Sequence, residues 1–465
     1  MTFDNLTWLG TVPEHWQILK LRQILSPVSE KNHPDMPLLS VVREKGVIVR
    51  NVDDKEENHN YVPDDLSGYK LVKRGQFAMN KMKAWQGSYG VSEYDGIVSP
   101  AYFVFDIKYT LNRDFFNRAI RSKAYISYFG QASDGIRVGQ WDLSMQRMKE
   151  IPFLLPPRAE QDQIVRFLDW KVSGINKLIS IHRHEMTLFD KMKRRLINES
   201  VIHGLRNARL IHNDYIRWDI DYPSHWRIQR IKETFSFRKG LSITKDNLEE
   251  SGIAVISYGQ IHSKKNSGVG LNAELIRHVN ESYLTTTPSA LVQKGDFIFA
   301  DTSEDVEGCG NCAYIDWDDM IFAGYHSIIA HSNGTMNCKY LAYLFQSPAW
   351  RYQIRKKVNG VKVYSITQKI LKDTFILVPP VDEQNEIVRY LDEKCVQIDA
   401  LIKSAEAKIT LLQDLKTRLI ADVVTGKINV QDVAIPDYEF VGEEADADAD
   451  GRGDEETEQG GEIDI

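Results

Sequence analysis

The sequence predicts an α+β protein in which two homologous globular α/β domains are separated by two long helices, which pair as an antiparallel coiled coil with pseudo-two-fold symmetry. One observation is a repeated segment, "LLPPRAEQDQIVRFLDWK" at 154–171 and "LVPPVDEQNEIVRYLDEK" at 377–394, with 11 of 18 positions identical. A second is that shorter blocks recur in the same order. The third is a run of apolar residues at alternating steps of three and four after each copy, which is typical of a coiled-coil seam.

Three shorter blocks connect the two halves of the chain. "PEHW" at 13–16 returns as "PSHW" at 223–226, "LVKRGQF" at 71–77 as "LVQKGDF" at 291–297, and "GIRV" at 135–138 as "GVKV" at 360–363. A conserved order over a period above 200 residues indicates a duplicated module. It excludes a solenoid, whose repeats are about 20–50 residues long. A chain of 465 residues is also too long for one ordinary core.

The domain boundaries follow from these blocks. The part before each Pro-Pro pair mixes short β-like runs with turn signals and helical patches, which indicates a globular α+β domain. The expected organisation is a first domain at 1–155, a first long helix at 156–210, a second domain at 211–378, a second long helix at 379–430, and an acidic tail at 431–465.

The two long helices are predicted from their apolar spacing and their end signals. Glu160 and Glu383 fall in the first turn, where negative charge suits the helix dipole, and Gly204 and Gly426 stand where a glycine would end each helix. A helix with one apolar stripe is not stable alone, so pairing is favoured over packing of each helix on its own domain. The expected seam positions are Ile164, Leu168, Ile175, Leu178, Phe189, Met192 and Leu196 in the first helix and Leu391, Cys395, Ile398, Ile402, Ala405, Ile409, Leu412 and Leu419 in the second.

The net charge of −7 is unevenly distributed. Residues 437–465 hold 13 acidic residues and one basic residue, a charge of −12, so the other 436 residues carry +5. A low-complexity acidic tail is expected to be disordered, while a mildly basic body permits nucleic-acid binding. The sequence has no secretory signal pattern, no apolar run of about 18 residues, and too few cysteines for a disulfide framework. A cytoplasmic location is therefore expected.

No catalytic motif is found. The sequence lacks a P-loop, a dinucleotide-binding glycine pattern, a zinc-protease motif, a nucleophile elbow, and the Asn/Asp-Pro-Pro-Tyr/Phe motif of amino-methyltransferases. Cys309 and Cys312 have metal-like spacing that Cys338, His326 or His331 could complete, but ordinary loop cysteines are favoured. The acidic run at 51–58 is interpreted as a solvated loop. A binding subunit is therefore favoured over an enzyme.

The repeated Pro-x-His-Trp block, the Leu-Val-x-x-Gly-x-Phe strand, the Gly-Ile/Val-Arg/Lys-Val turn and the "PP…EQ…IV…LD" helix start together resemble the specificity subunits of type I restriction-modification systems. The resemblance covers about residues 5–430 and both halves. Each motif alone is weak, but their order, repeated twice, is specific. The acidic tail is not part of the family pattern, and it is interpreted as a solvated tail rather than a mimic of DNA charge.

The resemblance implies that the globular domains are target recognition domains, each reading one half of a bipartite DNA site, and that the helices form a spacer. It implies two methyltransferase (modification) subunits and ATP-driven restriction subunits as partners. S-adenosylmethionine, ATP and magnesium would then belong to those partners, and this chain would hold no cofactor or metal and would not be an enzyme. Two alternatives remain open: a non-catalytic protein-binding scaffold with duplicated domains, and an enzyme with an unrecognised site.

Candidate DNA contacts were taken from cationic and amide side chains near turns, because phosphates bind Lys and Arg and base edges bind Arg, Lys, Asn and Gln. Arg137 and Lys362 are favoured, since glycines of the duplicated turn bring the backbone close to a ligand. Trp16 and Trp226 are interpreted as core anchors, and His15 and His225 as structural. The full set of candidates is Asn80, Lys81, Lys83, Gln86, Arg137, Gln140, Arg238, Lys239, Lys264, Lys265, Lys356, Lys357, Lys362 and Tyr364.

Overall fold

The computed structural model describes residues 12–43, 45–50, 63, 65–108, 110–137, 140–213, 218–360 and 363–442, with backbone alone at 136, 137 and 140. Contacts divide the chain into two units. Unit 1 comprises Met1–Arg183 and Ala407–Ile465, and unit 2 comprises His184–Glu406. Each unit therefore contains one globular domain together with part of each long helix. The boundaries predicted from the sequence follow the order of segments along the chain, whereas the two units group segments that contact each other.

Unit 1 is built on a four-stranded antiparallel sheet with the strand order β2-β9-β6-β7. Its core contains Phe77 and Phe116, whose rings meet edge to face with centroids 5.5 Å apart. The elements of this unit, besides the end of the second long helix, are β1 (Gln17–Lys20), α1 (Leu21–Ile24), β2 (Leu25–Val28), β3 (Leu39–Val42), β4 (Gly46–Val49), β5 (Lys70–Val72), β6 (Phe77–Met79), β7 (Tyr89–Val91), β8 (Gly96–Val98), β9 (Phe103–Ile107), α2 (Arg113–Ile120), α3 (Lys123–Gln131), β10 (Ser133–Arg137), β11 (Gln140–Leu143), α4 (Met145–Glu150), β12 (Pro152–Leu155) and the first part of α5 (Arg158–His203).

Unit 2 repeats this sheet as β16-β25-β21-β23 and adds a five-stranded sheet, β17-β19-β18-β24-β20. Phe297 on the central strand stacks on Tyr314 at 5.1 Å. The elements are β13 (Leu210–His212), β14 (Asp221–Pro223), β15 (Arg227–Arg230), β16 (Phe235–Lys239), β17 (Leu248–Glu249), β18 (Ile253–Ile256), α6 (Tyr258–Ile261), β19 (Arg277–Val279), α7 (Tyr283–Thr286), β20 (Leu291–Val292), β21 (Phe297–Ala300), β22 (Thr302–Ser303), β23 (Cys312–Tyr314), β24 (Ile321–Ala323), β25 (Ser327–Ser332), α8 (Cys338–Gln346), α9 (Pro348–Arg355), β26 (Tyr364–Ser365), α10 (Gln368–Lys372), β27 (Phe375–Val378) and α11 (Val381–Val424), with the last part of α5.

The repeated Glu at the start of each long helix holds the repeated His-Trp pair of its own unit. In unit 1 the Trp16 indole N–H donates to Glu160 Oε1 at 3.0 Å, and His15 Nε2 lies 2.8 Å from Glu160 Oε2. In unit 2 the Trp226 indole donates to Glu383 Oε2 at 2.9 Å, and His225 Nε2 lies 2.8 Å from Oε1. Both tryptophans are buried, so the expectation that they anchor the core is confirmed.

The glutamine that follows each of these glutamates is buried and makes a second duplicated contact. Gln161 accepts from the backbone N–H of Asn112 at 2.8 Å and donates to the carbonyl of Pro156 at 2.8 Å. Gln384 accepts from Asn337 and donates to Pro379 at the same distances of 2.8 Å. Asn112 and Asn337 are the N-caps of α2 and α8. The "PP…EQ" segment is therefore repeated because it joins strand, helix cap and long helix in each unit.

The C-terminal glycine of each long helix packs against the tryptophan of the unit in which that helix ends. Gly426 has φ +78°, and a Cβ there would stand 2.6 Å from Pro13 Cδ and 3.1 Å from the Trp16 ring. Gly204 has φ +75°, and a Cβ would stand 2.9 Å from the Trp226 ring. The left-handed conformation favours glycine, and the close approach requires it. Both glycines thus end their helices as the sequence predicts.

The two long helices run antiparallel within each unit. In unit 1 the Lys416 ammonium donates to Asn176 Oδ1 at 3.2 Å, while the residues just after α11 contact the beginning of α5. In unit 2 Lys193 contacts Asp399 at 2.7 Å, and Arg206, just after α5, contacts Glu386 near the beginning of α11 at 2.7 Å. Every seam residue predicted in α11 is buried or half-buried.

The predicted seam of the first helix is partly wrong. Leu178 and Met192 are 47% and 49% exposed, while Ile179, next to Leu178, and Ile197, next to the predicted Leu196, are buried. A straight α-helix has 3.6 residues per turn, so an apolar stripe predicted at 3.5 residues per turn drifts around the helix by about 20° per heptad. The buried positions of α5 are better described by an 11-residue repeat, which corresponds to about 3.67 residues per turn. Over the 46 residues of α5 this drift moves the buried stripe by one residue.

The segment 427–442, expected to belong mostly to a disordered tail, instead packs along the first helix in unit 1. Gln163 donates to the carbonyls of Val430 and Val433 at 3.1 and 2.8 Å. Ser173 donates to the carbonyl of Glu439 at 2.9 Å, and Asn176 donates to that of Val441 at 3.0 Å. The remainder of the acidic tail, 443–465, lies outside the described residues.

Candidate nucleic-acid interface

A polar side chain directly follows an inner strand of the four-stranded sheet in each unit. Asn80 comes directly after β6 and its amide donates to the Tyr102 hydroxyl at 3.2 Å, where Tyr102 immediately precedes β9. Asp301 comes directly after β21, and its Oδ1 lies 3.2 Å from Nδ1 of His326, which immediately precedes β25. We call these two places the strand-end sites. They lie at the same end of equivalent strands but one residue apart in register, since the residue equivalent to Asp301 is Lys81.

In unit 1 the hairpin β10–β11 packs beside the strand-end site. Leu143 donates its backbone N–H to the carbonyl of Lys81 at 3.1 Å, and the Lys81 ammonium contacts Asp142 at 3.0 Å. The rings of Trp85 and Trp141 lie 5.1 Å apart. The structure therefore brings together two candidate clusters that are more than 45 residues apart in sequence.

The candidates of unit 1 differ in how they are placed. Asn80 is buried and its Oδ1 accepts from the Met82 N–H at 3.1 Å, so it stabilises the turn. Lys81 is half-buried, Lys83 is exposed and Gln86 is half-buried. The backbones of Arg137 and Gln140 pair in register on either side of the hairpin loop, and their side chains lie outside the described residues. Trp141 was not among the candidates.

In unit 2 the equivalent segment returns to the equivalent place. Ile366 donates its N–H to the carbonyl of Asp301 at 2.7 Å, and Tyr364 on β26 pairs with Ser303 on β22. Tyr364 is half-buried. Lys362 lies outside the described residues. Lys239 is exposed and pairs in register with Ile328, two residues from His326, so it lies at the edge of the same site.

Other candidates of unit 2 serve partly as structural groups. Arg238 is half-buried, donates to the Leu291 carbonyl at 3.4 Å and lies 4.0 Å from the buried Asp296. Lys265 pairs with Glu274 in the exposed turn that also holds Lys264. At the end of α9, the Lys356 ammonium lies 5.7 Å from the centre of the Tyr352 ring, and Lys357 donates to the Asp373 carbonyl at 3.1 Å.

Sequence reasoning missed the rings and the carboxylate of the unit 2 strand-end site. His262 Nε2 lies 2.8 Å from the Thr302 carbonyl. The Tyr258 ring lies 6.2 Å from that of His262 and 5.6 Å from that of His326. None of these residues is a constitutive cation, so a search for Lys, Arg and amides passes over them. The available signal was alignment of the halves, which puts Asp301 at the position of the candidate Lys81.

The two cysteines with metal-like spacing are core residues. Both are buried, and burial raises the pKa of the Cys309 thiol and raises that of Cys312 to about 12. Zinc binds thiolates, which burial disfavours. Within the described ranges no group of three or more His, Cys, Asp or Glu side chains is arranged to hold a metal ion. The acidic run at 51–58 lies outside them. None of the described helices is long and apolar enough to cross a membrane.

Comparison with known proteins shows what the chain is similar to. Residues 223–411 match the family model of the type I restriction modification DNA specificity domain. The chain is 20% identical over 442 residues to the type I restriction enzyme MjaVIII specificity subunit of Methanocaldococcus jannaschii, covering 91% of this chain and 95% of that protein. It is 23% identical over 390 residues to the type I restriction enzyme EcoKI specificity subunit of Escherichia coli K12, covering 81% and 77%.

A solved structure shares the fold. A chain from a study of complex assembly and conformational transition of the type I R-M system superposes with a TM-score of 0.62 at 16% identity, covering 90% of this chain and all of that one. The α+β architecture is therefore that of a known structure. The resemblance stated from the sequence is confirmed: the chain is similar to the specificity subunits of type I restriction-modification systems, and residues 223–411 match the model of their DNA specificity domain.

Proposed function

We propose that this chain is the DNA sequence-recognition subunit of a type I restriction-modification complex. Each unit reads one half of a bipartite site, and the long helices set the spacing between the halves and dock methyltransferase subunits. The observation that carries the proposal is the duplicated strand-end site, where one scaffold presents Asn80, Lys81 and Tyr102 in unit 1 but Asp301 and His326 in unit 2, with Lys81 and Asp301 at the equivalent position.

Different side chains on one scaffold are expected of two readers of different half-sites. Each base pair presents its own pattern of donors and acceptors in the major groove, so a changed pattern requires changed side chains. The surrounding scaffold serves only to position them and has no reason to diverge. Exposed cations beside each site, such as Lys83 and Lys239, fit phosphate contacts, which fix register without reading sequence.

The chain itself supplies recognition and not catalysis in this proposal. Methyltransferase subunits carry S-adenosylmethionine, and restriction subunits carry ATP and magnesium. Exposed apolar side chains on the second long helix, including Val396 and Leu411 at 68% each, fit the docking of another protein. The whole complex would act in the cytoplasm, where chromosomal DNA and these partners are present.

The test is co-expression of the full chain with the methyltransferase encoded beside it. We expect a stable complex of one copy with two methyltransferases that methylates adenine in a split DNA motif, measured by sequencing that detects modified bases. Lys83→Ala should lower the affinity of this complex for every DNA sequence, because it removes a phosphate contact. Lys294→Ala is the matched control, since Lys294 is a cation paired with Asp318 at 2.8 Å. A complex that forms but ignores DNA would support the protein-binding scaffold instead.

A further inference from the structure

The strand-end site of unit 2 contains an outward-facing carboxylate among aromatic rings. Asp301 lies beside His326, whose ring is flanked by those of Tyr258 at 5.6 Å and Tyr325 at 6.1 Å. The Asp301 side chain is 36% exposed and that of His326 is 57% exposed. On a face that the proposed function assigns to DNA, an acidic group needs a physical reason, because DNA phosphates are negative.

The backbone of Asp301 is fixed from two sides. Its N–H donates to the His326 carbonyl at 3.1 Å, and its own carbonyl accepts from Ile366 at 2.7 Å. His326 has φ +52°, an uncommon conformation for a residue other than glycine. Such conformations persist where the surrounding structure enforces them, and they cluster at functional sites. The carboxylate is therefore held at a defined point.

One oxygen of the carboxylate is already used and the other is available. Because a carboxylate only accepts, the Nδ1–H of His326 donates to Oδ1 of Asp301 at 3.2 Å. Among the described residues, no group donates to Oδ2 of Asp301 or bonds to Nε2 of His326. The pair thus orients one free acceptor outward, and the imidazole positions it.

The chemistry of base edges identifies what this acceptor could read. In the major groove the donors are the N4 amino group of cytosine and the N6 amino group of adenine, whereas guanine and thymine present acceptors at O6, N7 and O4. A carboxylate accepts from the first two and is repelled by the others. Such a group adds discrimination through repulsion as well as attraction.

We propose that Asp301 is a specificity-determining residue of unit 2 that accepts a hydrogen bond from an exocyclic amino group of cytosine or adenine, and that His326 is its positioning residue. The proposal rests on the proposed function and names the base chemistry that one site reads. It assigns unit 1 a different chemistry, since the equivalent position holds Lys81, a cation that pairs with Asp142 at 3.0 Å.

The experiment measures the methylated motif and the affinity for a duplex panel, using the full complex with Asp301→Asn. The panel replaces each base pair of the wild-type motif in turn. An amide has both a donor and an acceptor, so D301N should tolerate thymine or guanine where the wild type requires an amino-bearing base. The preference at that position should fall by about tenfold or more, within the range that one good base contact supplies. The base pair at which the preference is lost shows whether Asp301 contacts cytosine or adenine.

Two further variants separate positioning from folding. His326→Ala should lose the preference at the same base pair, while His326→Asn should retain most of it, because asparagine adopts positive φ readily and keeps a donor. Asp318→Asn is the matched control, since Asp318 is 81% exposed and pairs with Lys294 in the same unit. It should leave the motif unchanged.

The outcomes are distinguishable from failure of the proposed function. If the wild-type complex methylates no split motif, the proposed function fails, whatever the variants do. If it does, a D301N complex with the wild-type motif and preferences overturns the inference, and so does an equal loss on every sequence. If D301N abolishes methylation, the affinity of the complex for the duplex panel tests the proposal instead. Loss of specific binding through one half-site with retained non-specific binding supports the proposal, and loss of both overturns it.

Discussion

Replacing Glu383 with alanine tests whether the duplicated His-Trp-Glu contact holds the long helix to its unit. The substitution removes a carboxylate that is 11% exposed and accepts two hydrogen bonds, from Trp226 at 2.9 Å and from His225 at 2.8 Å. Hydrogen bonds to charged groups contribute about 1.5–3 kcal/mol each. The His225 side chain is 43% exposed, so its ring can bond to water after the substitution. The hydrogen bond from His225 therefore contributes at the low end of that range. The expected loss is about 3 kcal/mol.

The measurement is thermal unfolding of the full chain, with hydrogen exchange read separately for each unit. For a unit of this size, 1 kcal/mol lowers the midpoint by about 2–4 °C, so unit 2 should melt about 6–12 °C earlier. The equivalent substitution in unit 1, Glu160→Ala, should lower the midpoint of that unit by a similar amount. Glu386→Gln is the control, because Glu386 lies one turn along the same helix and makes an exposed ion pair with Arg206, worth at most about 1 kcal/mol. A loss in E383A no larger than that of E386Q would refute the reasoning.

Three further predictions follow from single contacts. Gly426→Ala should destabilise unit 1 by about 1–3 kcal/mol in urea unfolding, because of its positive φ and the approach to Pro13, whereas Gly174→Ala, with open space around it, should not. Burial raises the pKa of Glu383, but the hydrogen bonds from Trp226 and His225 outweigh it and hold that pKa below 4.5. Its contribution is therefore complete above pH 4.5 and lost as the pH falls through the lowered pKa, so wild type should lose more stability than E383Q on acidification below that value. Cys312, buried with a pKa of about 12, should resist maleimide at pH about 8 in the native chain and react after denaturation, as read by mass spectrometry.

The elements that sequence predicted well are those whose cause is local or repeated. Glu160 and Gln161 recur as Glu383 and Gln384, and each makes the same contacts in its unit. Their repetition in the sequence identified these residues. Their contacts explain the repetition, because each side chain bonds to groups that the other unit also has at the equivalent place. The predicted antiparallel pairing implies that each helix ends at the other domain, but the sequence could not reveal the contact that ends it, because nothing near Gly426 refers to Trp16.

The DNA contacts stay predictions, because charge alone does not distinguish a residue that binds a ligand from one that stabilises the fold. Asn80 and Lys81 lie at the predicted place, yet one stabilises a turn and the other pairs with Asp142. Asp301 was passed over because it is acidic. The drifted seam at Leu178 has another cause, since a heptad template is exact only for a supercoiled helix. The packed segment 427–442 was hidden by the acidic composition that follows it.

The duplicated "LVKRGQF" and "LVQKGDF" strands indicate how the halves diverged without losing their scaffold. Gln76 and Asp296 each accept the backbone N–H three residues earlier, at 2.8 and 3.0 Å. Across the sheet, however, Gln76 donates to Asp106 at 2.7 Å, whereas Asp296 accepts from His331 at 2.8 Å.

The hydrogen bond is thus reversed between the units, and each partner differs to match. A single exchange, such as Gln76→Asp, would place a second carboxylate against that of Asp106. Electrostatic repulsion and the cost of desolvating two charges would destabilise this arrangement. The strand ends differ in a related way, since Lys81 pairs with the carboxylate of Asp142, whereas its equivalent Asp301 accepts from His326. In both places the contacting partner differs together with the residue, which preserves the sheet while the chemistry presented at its end differs between the units.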